Sequence, residues 1–369
     1  MQHFQQAPAD WLPPHCPNPN CIHHNQFRQR TDYKKIGYYS TQANPKRIPR
    51  FLCKHCRRAF SRQTFSTTYW QKRPDLDAEI FMRSVGGMAN RQIARDLGLC
   101  HETVSRHLGR LGRHCLLFHQ RLRQQLRLPF TEIVIDGFES FEFSQYFPLH
   151  HHVAVDKHTG FFIHFSDSEL RRKGRMTTYQ KQRREELERQ WGKPSPRAIE
   201  WDMAETVMVS LQGATAAVVY SDKHQAYRRS LRRIPASIRH EVTDSRKLRD
   251  RRNPLLMVNV LDSLIRHSSS NHKRETIAYS KRRQASAEKL AIFQLWRNTM
   301  KWLCENRPGQ TPAMALGLLS RRLQVLDVLR ERIFRSHVEL PPRWAAYYLR
   351  QVKTRALARN RSHNLSYAV

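Results

Sequence analysis

The 369-residue sequence predicts a multidomain chain. A small cysteine-rich module comes first, then an all-α module, then a larger α/β unit that runs into a basic helical region. Three observations carry this reading. Four cysteines fall in two close pairs near the amino terminus, Cys16 with Cys21 and Cys53 with Cys56. A compact helical pattern with a glycine at its turn occupies residues 90–108. Beyond Pro129, short β-branched and aromatic runs that end in aspartate alternate with helical stretches.

Composition bounds the partners. Lys and Arg number 65 against 31 Asp and Glu, a net charge of +34. Such an excess calls for a polyanion, and nucleic acid is the usual one because each phosphate contacted releases counterions. A merely basic, solvated surface is the plainer alternative. The longest apolar runs, such as Met314 to Leu319, are far too short to span a bilayer, so no membrane partner is expected. The opening MQHFQQAPADW lacks the basic-then-apolar order of a secretion signal. Seven cysteines, with Cys100, Cys115 and Cys304 isolated, suit a reducing cytosol and one metal site rather than a disulfide framework.

The first module, residues 1–72, reads as a zinc ribbon. Cys16-x4-Cys21 and Cys53-x2-Cys56 are two knuckles whose thiolates complete a tetrahedron. Phe51-Leu52 and Ala59-Phe60 flank the second knuckle as a small hairpin. So few apolar residues cannot hold a fold alone, and metal binding would supply the missing stability. His15, His23, His24 and His55 lie nearby as substitute ligands, but four cysteines suffice and leave no open position for catalysis.

Residues 73–128 form the second module, a helix-turn-helix. Ile93, Leu97, Leu99, Val104 and Leu108 supply a common core, Ala94 is small where two helices cross, and Gly98 sits at the turn. In such motifs the second helix enters the major groove with its first residues on base edges. His101, Glu102, Ser105 and Arg106 are therefore the candidate DNA contacts; an ordinary helical hairpin with a solvated basic face is the bland alternative.

The α/β unit, residues 129–300, carries the chemistry. Thr131 to Asp136 and Ala216 to Asp222 are apolar runs ending in an acid, as central strands covered on both faces would read. Neighbouring strands lie ~4.8 Å apart, so two such aspartates can share divalent ions. Hard oxygen ligands suit magnesium, which can activate an attacking oxygen and stabilise a leaving one in phosphodiester chemistry. Aspartate also often just ends a strand, so the pair alone is a weak signal. Further on, Met257, Val260, Leu261 and Leu264 give a helix one buried stripe, with Asn259, Asp262 and Arg266 on another face. A charged helical stretch at about 169–212 reads as an insertion, and 301–369 as a basic helical tail region.

The order of parts resembles the bacterial insertion-sequence transposases that begin with a zinc ribbon and helix-turn-helix and carry an RNase H-like, DDE-type catalytic domain with a mixed sheet. Arg50 to Phe60 resembles the family's second knuckle, Asp136 to Phe141 the segment around its first catalytic Asp, His152 to Asp156 the next strand, and Ser221 to Tyr227 the segment around its second catalytic Asp. The resemblance covers roughly residues 12–300. It implies Asp136 and Asp222 as catalytic, metal-binding residues, with Mg2+ or Mn2+ as the catalytic ion. Aligned on Leu264-Ile265-Arg266, the family's catalytic Glu falls on Asn259, which brings no charge. Asp262, one turn further on, is read as the third acid, with Glu275 second. Glu200 and Glu205 precede the second Asp and are disfavoured; Glu139 and Glu142 are supporting residues near the first. Arg266 and Arg274 are candidate phosphate contacts, as are the basic stretches 171–189, 228–252 and 350–361. The expected activity is cleavage at element ends and strand transfer, by a homodimer or larger assembly on DNA in the bacterial cytoplasm, associated with the nucleoid. The alternative is a catalytically inactive or co-opted DNA-binding descendant, for which Asn259 is the best support.

Overall fold

The computed structural model describes residues 11–40, 47–244, 246–305 and 309–354. The opening ten residues and most of the basic stretch 350–361 lie outside the described residues.

Three short strands, β1 (Tyr33–Ser40), β2 (Arg47–Cys53) and β3 (Ala59–Ser61), form an antiparallel sheet with β2 in the middle. The expected hairpin is there, with Phe51 across from Phe60 and Leu52 across from Ala59. Its core is only Phe51, Phe60 and three buried cysteines, with Trp11, Phe27, Tyr33 and Phe65 packed at the margin.

Helices α1 (Asp77–Val85), α2 (Asn90–Asp96) and α3 (His101–Arg123) follow. Ile93, Ala94, Val104 and Leu108 are buried between them, with Leu97 and Leu99 packed against that core. Gly98 turns the chain at φ +63°, where a side chain would be strained. Unlike a short recognition helix, α3 runs on for 23 residues. Its second half lies against α8 (Arg283–Thr299) at close range, because a Cβ at Gly112 would stand 2.6 Å from the carbonyl oxygen of Glu288.

The larger sheet is five-stranded and mixed. Its order is β6 (Phe162–Glu169), β5 (Pro148–Asp156), β4 (Glu132–Phe141), β7 (Ala216–Ser221), β8 (Ser237–Val242). β5 is antiparallel to both β6 and β4, and β7 and β8 run parallel to β4. Successive residues of β4 serve opposite faces, as strand geometry requires. Ile133 and Ile135 pack with Met203, Val207 and Leu211 of α5 (Ala198–Leu211) and with Tyr227 and Leu231 of α6 (Gln225–Leu231). Val134 and Phe138 face the other way, towards Val258, Leu261 and Ile265 of α7 (Leu256–Ser268) and towards α8. Helices therefore cover both faces, which is why β4 and β7 read as nearly continuous apolar runs.

Three regions differ from their sequence reading. The stretch expected as one charged insertion divides in two. Its first helix, α4 (Thr178–Trp191), has no buried residue, whereas α5 is a working layer of the sheet. Residues 237–242, read as part of a basic segment, form the edge strand β8. The region after 250 is less helical than expected: α9 (Pro312–Ala315) and α10 (Val325–Leu329) are short, and long irregular stretches separate them. In α11 (Pro342–Tyr348), Trp344 and Tyr347 are buried on the sheet, and the Trp344 indole donates to the Phe165 carbonyl at 2.9 Å. No helix among the described residues is long and apolar enough to cross a membrane.

Candidate metal and nucleic-acid sites

Asp136 lies on the central strand β4 at the point where its pairing with β7 stops. The last paired residues are Val134 and Tyr220. The same register carried two residues further sets Asp136 beside Asp222, just past the end of β7. Helix α7 crosses β4 and β5, and from it Asp262 reaches the same space. Burial above all, opposed by a 2.7 Å hydrogen bond from the Gly137 N–H, and then the charges of Asp222 and Asp262, opposed by Arg249, together raise the Asp136 carboxyl to about 7. Burial beside two other acids is what holds this proton, and a divalent ion would offset the repulsion among the three carboxylates. Asp222 accepts the His224 N–H at 2.9 Å. Asp262 accepts from Arg266 at 3.1 Å through Oδ2, whereas its Oδ1 is buried and has no hydrogen-bond partner. That orphaned oxygen and the convergent carboxylates suit a hard cation. The three carboxylates do not all approach within 4.8 Å of one another as the four cysteine sulfurs do, so one ion between them calls for side-chain rotation.

Residues that the sequence reading missed close this space. A Cβ at Gly137 would fall 2.0 Å from the His150 ring, so only glycine lets that imidazole lie over β4 beside Asp136. His150 is buried, its Nδ1 has no partner, and burial followed by the nearby His224 and His151 lowers it to about 3, which keeps it neutral. His224 caps the start of α6, and its ring lies tilted against Tyr227 with centroids 4.8 Å apart; the Tyr227 phenol is pushed well up by burial and then by Asp136 and Asp222. The signal available in sequence was three successive histidines, 150–152, inside a buried strand. Beside Asp222 opens a cavity of about 440 Å³ lined by His224, Arg228, Arg229, Arg232 and His240, wide and basic enough for a phosphodiester chain.

The other sequence candidates are dispersed. Glu275 is exposed in the loop between α7 and α8, and Asn259 sits one turn before Asp262, half-buried. Arg266 is occupied by Asp262 and by the His272 carbonyl at 3.3 Å, while Arg274 is exposed. Glu139 is exposed; Glu142 is buried and accepts the Arg283 N–H at 2.7 Å. Glu200 pairs with Arg233 at 2.6 Å, and Glu205 accepts the Arg343 N–H at 3.2 Å. His101, Glu102, Ser105 and Arg106 are all exposed on the first turns of α3. Asn90 donates to Ser105 at 3.0 Å, and His101 meets Glu102 at 3.1 Å.

At the amino terminus the four cysteines Cys16, Cys21, Cys53 and Cys56 bring their sulfurs within 4.8 Å of one another, with Cys16 and Cys56 3.5 Å apart and Cys21 and Cys53 3.7 Å apart. Four close thiols are a donor set that fits zinc. Burial pushes the Cys16 and Cys21 thiols up; at Cys56 burial acts the same way, but N–H donors from Arg58 and Asn18 bring it down to about 7. One sulfur is thus ready to ionise near neutrality and to receive a metal that would deprotonate the rest.

No protein-family model and no curated protein matches the chain. Among solved structures, it is similar to a chain of the cryo-EM structure of the simian T-cell lymphotropic virus intasome in complex with PP2A regulatory subunit B56 gamma, at 17% identity and a TM-score of 0.23. That match covers 54% of this chain and spans about three fifths, 60%, of the other.

Proposed function

We propose that the protein is a metal-dependent DNA strand-cleaving and strand-joining enzyme of the transposase type, built on an RNase H-like sheet. The carrying observation is the convergence of Asp136, Asp222 and Asp262, from the central strand, the end of its parallel neighbour and a covering helix, on one space. Antiparallel β4, β5 and β6 continued by parallel β7 and β8 is the strand arrangement this reading requires. A bound Mg2+ or Mn2+ would supply activation of the attacking oxygen and stabilisation of the leaving one. The chain's own part is to hold it: Asp136 and Asp222 by carboxylate, Asp262 through its free Oδ1. His150 and Tyr227 wall the space on the α5 and α6 side and exclude water. Arg228, Arg229 and Arg232 line the approach and would neutralise the phosphates of a strand reaching Asp222. His101, Glu102, Ser105 and Arg106 would read base edges, and zinc held by the four cysteines would fold the ribbon. By this reading Asp262 takes the third place and Asn259 does not.

Purified protein with labelled DNA carrying the ends that flank its own gene, in magnesium or manganese, tests this. The wild type is expected to nick the ends and join them to target. Asp136→Asn, Asp222→Asn and Asp262→Asn are each expected to reduce the rate by about 10²–10³-fold or more, with DNA binding intact. Glu275→Gln and Asn259→Ala are expected to stay near wild type. Binding without cleavage in either metal would overturn the catalytic reading and leave a DNA-binding protein. Loss with Glu275→Gln but not with Asp262→Asn would move the third acid.

A further inference from the structure

A second cluster of metal-ligand side chains lies away from the carboxylates and joins the two ends of the chain. His15 and His24 belong to the ribbon, and His337 to the segment just before α11. One ring nitrogen from each lies within 4.8 Å of the others. The rings crowd together, His15 and His337 with centroids 4.6 Å apart and His24 and His337 4.4 Å apart, and no carboxylate stands among them.

The hydrogen bonds say which nitrogens carry protons. His15 and His24 each donate through Nδ1 to the Cys16 carbonyl, at 3.1 and 2.8 Å. His337 donates through Nε2 to the His24 carbonyl at 3.1 Å. In a neutral imidazole that fixes the tautomer and leaves the opposite nitrogen of each ring as a lone pair. A ring anchored to a backbone carbonyl through one N–H, with its other nitrogen unprotonated, is how ligating histidines are oriented. His24 Nε2 accepts from the Ser336 hydroxyl at 2.7 Å, a bond that an ion taken up by that lone pair would displace. His15 and His24 are buried, and Phe65 and Phe334 pack edge-on against His15, so the rings are held in place rather than free to swing away.

We propose that His15, His24 and His337 form a second metal site, for a borderline divalent ion of the zinc or cobalt kind, that clamps the ribbon onto the carboxy-terminal segment. Three imidazoles suit such ions and leave one position for solvent, which reaches the site at the exposed His337. The clamp sits on an interface that is already hydrogen-bonded. Thr67 donates to the Leu329 carbonyl at 2.9 Å, and Arg332 donates to the Phe65 and Thr64 carbonyls at 3.2 and 3.0 Å. An ion there would close a loop spanning most of the chain, where a cross-link constrains the unfolded state most.

The experiment is cobalt(II) titration of the full, reduced chain in excess magnesium, which keeps the carboxylates occupied. Thiolate-bound cobalt gives an intense charge-transfer absorption, and imidazole-bound cobalt does not. The wild type is expected to take about two cobalt ions, one with the thiolate band and one without. His337→Ala, at an exposed position, is expected to take about one, with the thiolate band undiminished as proof that the ribbon still folds. It should also be cut faster by protease between the ribbon and α1. A wild type that binds only the thiolate-bound ion overturns the proposal, as does a His337→Ala variant that binds as many ions as the wild type.

Discussion

Asp136 keeps its proton almost to neutrality because the fold buries it beside two other acids with little to offset them. The consequence for stability has a definite sign. Its folded pKa of about 7 lies above the value of 3.8 for the free side chain. Between those limits the folded state holds the proton and the unfolded state does not, so stability falls as pH rises through the window. Asp136→Asn in metal-free buffer is therefore expected to leave the chain little changed near pH 4 and more stable by about 1–3 kcal/mol at pH 7.5. Magnesium is expected to raise the wild-type melting temperature at pH 7.5 and not that of the variant. Melting curves at both pH values, with and without magnesium, check this; identical curves for the two proteins would sink it. At this scale the sequence was informative where chemistry sits at the end of an apolar run, as for Asp136 and Asp222. It was silent on His150, because the ring is buried only by virtue of Gly137 on the neighbouring strand, a cross-strand relation no local pattern displays. Asp262 was reachable only through the face it shares with Arg266, and its orphaned Oδ1 is a fact of packing.

Helix α3 shows how one element serves two modules. Its first turns expose His101, Glu102, Ser105 and Arg106, and its later turns bury Leu116, Leu117 and His119. Gly109 and Gly112 permit the close approach to α8, and a Cβ at Gly112 meets backbone atoms of Glu288, which cannot rotate away. Alanine is the better helix former by about 1 kcal/mol, yet Gly112→Ala is expected to destabilise the chain by about 2–4 kcal/mol. Urea unfolding measures the difference, and a variant as stable as wild type would show that α3 and α8 can part without loss. The pairing of α2 with α3 was legible because their core residues, the glycine between them and the exposed face all lie within about twenty residues of one another. Strand β8 was not, since Ser237–Val242 carries Arg239, His240 and Glu241 in succession at a sheet edge and offers only Ile238 and Val242 as apolar residues. Helix α5 was hidden for a related reason: its neighbour α4 is charged all round, and the two read as one stretch.

Across the molecule, several imidazoles are buried. His119, His151, His152, His164 and His272 are all buried, and burial lowers each of them below the ordinary histidine range. Each stays neutral in the fold and would take a proton on unfolding once the pH drops below its unfolded value of 6.5. The stability they allow is complete above that value and is lost as the pH falls towards their folded values, at about 1.4 kcal/mol per pH unit for each. Thermal melts followed by circular dichroism should show the melting temperature falling steadily from pH 7 to pH 4, and a melting temperature unchanged at pH 4 would refute it. The overall plan of cysteine cluster, helical module and mixed sheet was legible from the order of cysteine pairs, glycine turn and strand-end acids; the seating of residues 325–354 across all three was not, because it depends on single contacts such as Trp344 with Phe165 and Ser336 with His24. The continuity of α3 has one more consequence. Its far end is anchored to the sheet layer, Arg123 donating to the Val209 carbonyl at 2.7 Å. A rod of 23 residues spans about 35 Å, one turn of duplex DNA. On the proposed function the helix would be a ruler, fixing the number of base pairs between the sequence read by its first turns and the phosphate cut at Asp136. A DNA end lengthened or shortened by about two base pairs should then still be held but be cut poorly, and cleavage indifferent to that spacing would count against it.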